Sequence, residues 1–345
     1  MTDASLDESP AHPGTDGPRL SAARIASSRA LIDSAFLDTP ERRDPGLDRW
    51  FGCEIVIKDE AAGPLGCFKG RGADLFVARW VAARAAGSGA PGPLVCASAG
   101  NFGLALADAG RRRGVPVTVF VATDASRYKV ARILECGGEV IERGFDCDDA
   151  KAASREHVLA RGGTPVEDGA EVAIAEGAGT IAAELDGTPL DALVVPVGNG
   201  ALAAGMGTWA RARWPATRVI GVCSAGAPVM RDCWLRGLGA AADDAVADAV
   251  ADTIADGIAV RVPVPAAVDD LAGVLDDLVA VDDAALVAAM RALHALTGLV
   301  AEPSAVAGLA AIAADRARFA GLRVGTVLTG SNLTREQRAD WLSLT

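Results

Sequence analysis

Aromatic side chains are scarce in this 345-residue chain. Phe, Trp and Tyr make up 4% of it, against 50% hydrophobic residues overall. A core must therefore be filled by small aliphatic side chains, chiefly Ala, Val and Leu. Histidine is scarcer still, with three residues: His12 near the start, and His157 and His294 on predicted helices. None falls in a cluster, which argues against a metal site or a His-based triad. The seven cysteines, Cys53 to Cys233, are odd in number and contain no C-x-x-C pair. They read as reduced cytosolic thiols, not as a disulfide framework. Basic charge is in deficit, with 33 Lys and Arg against 45 Asp and Glu, a net charge of -12. Nucleic acid and anionic membranes are thus poor partners. The first twenty residues lack the basic-then-apolar order of a signal peptide, and residues 1–19 are expected to form a flexible tail. No apolar run reaches membrane-spanning length without Gly, Pro or charge, so a cytoplasmic location is expected. No fixed short repeat is visible.

What is present is an alternation. β-branched runs at residues 54–58, 94–97, 115–121, 139–141, 192–196, 218–222, 278–281 and 326–328 read as strands. Ala-rich stretches at 74–86, 103–113, 125–136, 148–160, 177–185, 201–213, 283–296 and 305–319 read as helices. Strict β/α order predicts an α/β fold with a mainly parallel sheet, and runs such as Leu193-Val194-Val195 suit strands buried on both faces. The 39 glycines, without any long Ser/Gly tract, are expected at turns and close backbone approaches. In such sheets ligands bind at the carboxyl ends of strands, which directs attention to the loops there.

The first such segment is Cys67-Phe68-Lys69-Gly70-Arg71-Gly72-Ala73. A lysine among small residues can form a Schiff base with a carbonyl cofactor. It also reads as a solvated loop residue. Val197-Gly198-Asn199-Gly200-Ala201-Leu202 follows a strand and opens a helix, the setting of a phosphate cradle or of a plain tight turn. The same stretch can be forced onto a dinucleotide fingerprint. That reading lacks its acidic residue, because the next strand ends Gly221-Val222-Cys223-Ser224. Ser98-Ala99-Gly100-Asn101-Phe102 offers N–H groups for a carboxylate and an amide for a ring oxygen, or simply a Ser N-cap. Thr329 closes the last strand, where its hydroxyl could meet a ring nitrogen or cap a turn. Glu302, ahead of Pro303, is either fixed by that proline or a solvated loop carboxylate.

Taken in order, these segments resemble the fold-type II pyridoxal-phosphate enzymes, the tryptophan synthase beta-like superfamily, and most closely its serine/threonine dehydratases. Residues 67–73 resemble S-F-K-x-R-G-A, Ser98-Ala99-Gly100-Asn101 resembles S-x-G-N, and Gly198-Asn199-Gly200-Ala201-Leu202 stands where the family has G-G-G-G-L. Thr253-Ile254-Ala255-Asp256-Gly257-Ile258-Ala259-Val260 is similar to the dehydratase T-I-A-D-G-I-A-V. Gly177-Ala178-Gly179-Thr180, Glu302-Pro303-Ser304-Ala305 and Thr329-Gly330-Ser331-Asn332 also match. The resemblance runs from about residue 31 to the end of the chain.

It implies pyridoxal 5'-phosphate as cofactor and a small amino acid as substrate. It implies two domains: a large one from residues 20–66 and 161–345, and a small mobile one from residues 67–160. Lys69 would hold the cofactor as a Schiff base and later take the substrate's α-proton. Gly198, Asn199, Gly200, Ala201 and Leu202 would bind the phosphate. Phe68 would pack beside the ring, Asn101 would contact its hydroxyl, Thr329 would face its nitrogen, and Glu302 would join the cofactor site. Ser98, Ala99, Gly100, Asn101 and Phe102 would hold the substrate. A neutral hydroxyl at Thr329 makes the ring a weaker electron sink than an aspartate would, which favours β-elimination over transamination.

The departures are informative. Ala99 stands where racemases of this group carry a second hydroxyl. Residues 223–229 lack the acids of the racemase-like cation site, so no metal is expected. Cys67 replaces a Ser, Phe102 a His, and Asn199 a Gly, changes that bear on the substrate. No C-terminal regulatory domain is expected beyond Asn332. The leading expectation is a cytoplasmic, homodimeric lyase that converts a β-hydroxy-α-amino acid to a 2-oxo acid and ammonia. A β-replacement synthase and a non-catalytic cofactor-binding protein are the alternatives.

Overall fold

The computed structural model describes residues 18–88, 92–237 and 251–342, so most of the expected tail lies outside it. The strands are, in chain order, β1 (Glu41–Arg42), β2 (Glu54–Asp59), β3 (Leu94–Ala97), β4 (Val117–Val121), β5 (Glu139–Glu142), β6 (Thr164–Pro165), β7 (Ala192–Pro196), β8 (Arg218–Ser224), β9 (Asp277–Val281) and β10 (Arg323–Leu328). They form a six-stranded sheet, ordered β1-β2-β10-β7-β8-β9, and a four-stranded sheet, ordered β5-β4-β3-β6. Every pairing is parallel except that of β1 with β2.

The helices framing these sheets are α1 (Ala22–Ser28), α2 (Pro45–Phe51), α3 (Lys69–Ala85), α4 (Asn101–Arg113), α5 (Arg127–Glu135), α6 (Cys147–Arg161), α7 (Val172–Ala183), α8 (Ala201–Arg213), α9 (Val229–Arg236), α10 (Pro265–Ala272), α11 (Asp283–Thr297) and α12 (Ala307–Ala314). The two-residue period of a strand sends alternate side chains to opposite faces. Ile55, Ile57, Ala192 and Val194 enter a core with α2, α11 and α12, while Val56, Leu193 and Val195 enter the other core with α7 and α8. Both faces are therefore dry, as the near-continuous apolar strands predict.

Helices α3, α7 and α8 pack side by side through small residues. A Cβ on Gly177 would lie 2.7 Å from the Arg71 carbonyl oxygen, and one on Gly205 would collide with that of Ala175. The scarcity of aromatics is met here by backbone-to-backbone contact.

Among the elements that depart from the sequence reading, two bear on the site. The helix expected from residue 74 begins at Lys69. Its first turn holds two glycines and no acid, which hides it from propensity. Tertiary contacts decide instead: the Arg71 guanidinium, fully buried, is bonded by Glu60 (Nε to Oε2, 2.8 Å) and Glu184 (Nη2 to Oε2, 2.9 Å). Lys58 Nζ lies 2.7 Å from Glu184 Oε2, and Thr39 donates to Glu60 Oε1 at 2.6 Å. The helix expected over residues 305–319 is broken into a 3-10 turn at Pro303–Val306, α12, and a short Arg316–Phe319 helix. The break falls at Asp315, whose carboxylate accepts from the Arg318 N–H and starts the last piece.

Burial alone would raise the Glu184 carboxyl, but hydrogen bonds and charge from Arg71, with help from Lys58, hold it at about 2 against an ordinary 4.5. A depressed carboxyl stabilises the fold above its unfolded pKa and loses that stabilisation as pH falls toward the folded value. The stability gap between wild type and Glu184→Gln should therefore shrink by up to about 3 kcal/mol between pH 5 and pH 2 in denaturant titrations. A gap independent of pH would contradict this account.

Candidate active site

The strands of both sheets aim their carboxyl ends at one cavity of about 760 Å³, within the usual range for a small-molecule site. Lys69 enters it from the start of α3. The segment ahead of α3 is pinned to the end of β10: Cys67 bridges Gly330, the Phe68 N–H donates to the Thr329 carbonyl (3.0 Å), and the Ser331 N–H to that of Gly66 (3.0 Å). The Lys69 Nζ lies 4.4 Å from the centre of the Phe68 ring and 2.6 Å from Asp168 Oδ2. Cys67, next to it, is no nucleophile: burial first, then the Glu302 charge, push its thiol up to about 12.

β7 ends in the turn Gly198-Asn199-Gly200, with Gly200 left-handed (φ 96°) as the N-cap of α8 and no side chain capping that helix. The first N–H groups of α8, from Ala201 and Leu202 onward, are thus left for an external acceptor. A Cβ on Gly198 would stand 2.7 Å from the Gly257 carbonyl, so the 253–260 segment closes on this turn. Asp283 fixes that segment, accepting from Thr253 Oγ1 (2.5 Å) and the Ile254 N–H (3.0 Å).

β3 ends in the loop of Ser98, Ala99 and Gly100 that opens α4. Ser98 is not the N-cap; its hydroxyl accepts from the Gly100 N–H at 3.3 Å, and Gly100 precedes the helix. Asn101 donates through Nδ2 to both oxygens of Glu302, at 3.2 and 3.1 Å. Glu302 is buried, not solvated, and its Oε1 also accepts from the Asn332 N–H at 2.6 Å. Asn332 in turn donates to Asn101 Oδ1 at 2.7 Å. Phe102 and Thr329 are buried in the cavity wall. The structure therefore brings the residues expected to hold cofactor and substrate, Phe68, Lys69, 98–102, 198–202, Glu302 and Thr329, around a single cavity.

It also brings residues the sequence reading missed. Asp168 follows β6, a strand of two residues too short to be seen by pattern. It is held by Gly169, at φ +94°, where a Cβ would collide with the Asn199 carbonyl. Around the mouth, Lys129 pairs with Asp256, and Arg261 pairs with Asp148 (2.6 Å) and Asp146 (3.1 Å). These pairs join α5 and α6, beside the four-stranded sheet, to the segment after residue 250. Burial pushes the Lys129 ammonium below its ordinary range, with the Glu302 charge opposing.

A primary amine, an uncapped helix N-terminus lined with glycine and a neutral hydroxyl around one cavity define an enzyme built for a phosphorylated carbonyl cofactor. These donors fit pyridoxal phosphate. The sequence profile of the pyridoxal-phosphate dependent enzymes matches residues 32–330, and the chain belongs to that family. It is 32% identical over 237 residues to the biosynthetic L-threonine dehydratase of Corynebacterium glutamicum, covering 65% of this chain and 52% of that one. It is 35% identical over 219 residues to the corresponding Mycobacterium tuberculosis protein, covering 61% and 49%. The chain thus spans about half the length of these curated relatives. Among solved structures it is similar to a pyridoxal 5'-phosphate-dependent aspartate racemase (26% identity, TM-score 0.83, 94% and 99% of the two chains). It is also similar to a T.th. threonine deaminase (26% identity, TM-score 0.79, 91% and 99%).

Gly169→Ala should force the Asn199 carbonyl aside and weaken cofactor binding roughly tenfold or more, the scale of about 1–3 kcal/mol of backbone strain. Titration of the apoprotein with pyridoxal phosphate measures this, and unchanged affinity would contradict the role assigned to that contact.

Proposed function

We propose that the chain is a lyase that dehydrates and deaminates a serine- or threonine-like β-hydroxy-α-amino acid, releasing a 2-oxo acid and ammonia. The observation that carries this reading is the convergence of the Lys69 amine, the Gly198–Gly200 turn and the Ser98 loop on one cavity. Similarity to L-threonine dehydratases supports the reaction class.

Bound pyridoxal phosphate supplies an amine-capturing carbonyl and a ring that withdraws electrons from the substrate's Cα. The residues of the chain do the rest. Lys69 is the amine that would hold the cofactor and, once free, would take the proton from the substrate's Cα. N–H groups at Gly198, Asn199, Gly200, Ala201 and Leu202 hold the phosphate. Phe68 would pack beside the ring, and Asn101, oriented by Glu302, would contact the ring hydroxyl. Thr329 would offer the ring nitrogen a hydroxyl and not a carboxylate, which would make the ring a weaker electron sink and favour loss of a β-substituent. The Ser98–Asn101 loop binds the substrate carboxylate. Ala99 offers no second acid on the opposite face, which disfavours racemisation. The ion pairs of Lys129 and Arg261 close the mouth and exclude water. Homodimeric assembly and a cytoplasmic setting complete the reading from the resemblance. Among the described residues, no helix is long and apolar enough to cross a membrane.

The test is release of 2-oxo acid from serine, threonine, hydroxyaspartate and phenylserine, each stereoisomer separately, with pyridoxal phosphate present. Turnover of at least one is expected, and Lys69→Ala should lower it by about 10³-fold or more and abolish the visible absorption of the tethered cofactor. No turnover with any of them, or an unchanged spectrum in the variant, would refute the reading.

A further inference from the structure

Asp168 is the carboxylate in contact with the Lys69 amine. It is 9% exposed, and its Oδ1 is buried with no hydrogen-bond partner. Its Oδ2 bonds Lys69 Nζ at 2.6 Å. A buried carboxylate bonded through one oxygen to one amine is stable only while that amine stays. During turnover it does not stay, because Lys69 is committed first to the cofactor and then to the substrate's α-proton.

Other cations of the cavity wall are engaged elsewhere. Lys129 pairs with Asp256, Lys151 and Arg155 approach Glu167 at 3.4 and 3.5 Å, and Arg261 pairs with Asp146 and Asp148. The backbone beside Asp168 is also held. Its neighbour Gly169 packs against the Asn199 carbonyl so closely that no Cβ fits between them. An occupant of the cavity beside Asp168 therefore pairs with it best by bringing a hydrogen-bond donor of its own. The substrate carboxylate cannot, since it carries the same charge, and an alkyl side chain cannot. A hydroxyl on Cβ, two bonds from the substrate nitrogen, can.

We propose that Asp168 is the specificity-determining residue for the substrate's β-substituent, accepting a hydrogen bond from its β-hydroxyl. The inference deepens the dehydratase reading and rests on it. A site built around a substrate hydroxyl discriminates strongly against an analogue that lacks it, because its own polar group is then left unpaired.

Two comparisons test this with the cofactor-loaded protein and Asp168→Ala, which removes the acceptor. The first is kinetic. Serine has a β-hydroxyl, whereas β-chloroalanine carries a leaving group that donates nothing. The variant should lose at least about 10²-fold more kcat/KM toward serine than toward β-chloroalanine. Equal losses would show that Asp168 acts only through Lys69 or the fold, and would overturn the proposal. The second is binding without turnover, by calorimetry. α-Methylserine and 2-aminoisobutyrate lack an α-proton and differ in the β-hydroxyl. Wild type should prefer α-methylserine by about tenfold or more, and the variant should lose that preference. Absence of a preference in wild type would overturn the proposal. Failure of wild type to release 2-oxo acid from any β-hydroxy amino acid would sink the dehydratase reading instead, and the binding pair would still decide the role of Asp168.

Discussion

A guanidinium with no access to water holds the site in place. Arg71 lies two residues after Lys69, in the first turn of α3, where the helix dipole disfavours cations and no acidic residue of that turn compensates. Compensation comes from outside the helix: Glu60 just beyond β2, and Glu184 at the end of α7, both nearly fully buried. Lys58 adds the second cation, so two positive and two negative groups cancel inside the core. Such a cluster adds little net stability, yet losing one partner costs about 3–5 kcal/mol. Its larger effect is geometric. It ties the start of α3 to β2 and α7, and so fixes the direction in which the Lys69 amine leaves the backbone.

From that anchor the cavity assembles by close approach. α3, α7 and α8 touch through glycines, which sets the distance between the amine at the head of α3 and the uncapped head of α8. The turn at Gly198 is covered by the 253–260 segment, and Asn101 is locked to Glu302 and Asn332 before any ligand arrives. Preorganisation of this kind means that the groups need not be gathered at the moment of reaction. The ion pairs at the mouth, between α5 or α6 and the segment after residue 250, look outward, and these can part at modest cost.

Much of this was legible in the sequence, for physical reasons that can be named. The buried strands Leu94–Ala97 and Ala192–Pro196 and the helix Ala201–Arg213 were bounded correctly, because apolar runs and turn glycines mark their ends without help from the rest of the chain. The motif residues from Lys69 to Thr329, picked out by their order, line one cavity. Three things were not decided by the local sequence. The first turn of α3 has poor helical propensity and is held by Arg71, a long-range effect. The local sequence left Glu302 open between a proline-fixed residue and a loop acid, and only the resemblance put it in the cofactor site, because its partners, Asn101 and Asn332, lie 201 and 30 residues away. Asp168 carried no signal, since its strand has two residues and its partner is 99 residues distant. In each case a contact distant in sequence outweighed the local pattern.

The central claim is that Lys69, and not another lysine of the cavity, carries the cofactor. Lys129 and Lys151 line the same cavity and offer the same amine. Borohydride reduction of the loaded protein, followed by peptide mapping, reads the answer directly. The account predicts a phosphopyridoxyl group on the peptide containing Lys69 and none elsewhere. Label on Lys129 or Lys151, with Lys69 unmodified, would contradict it.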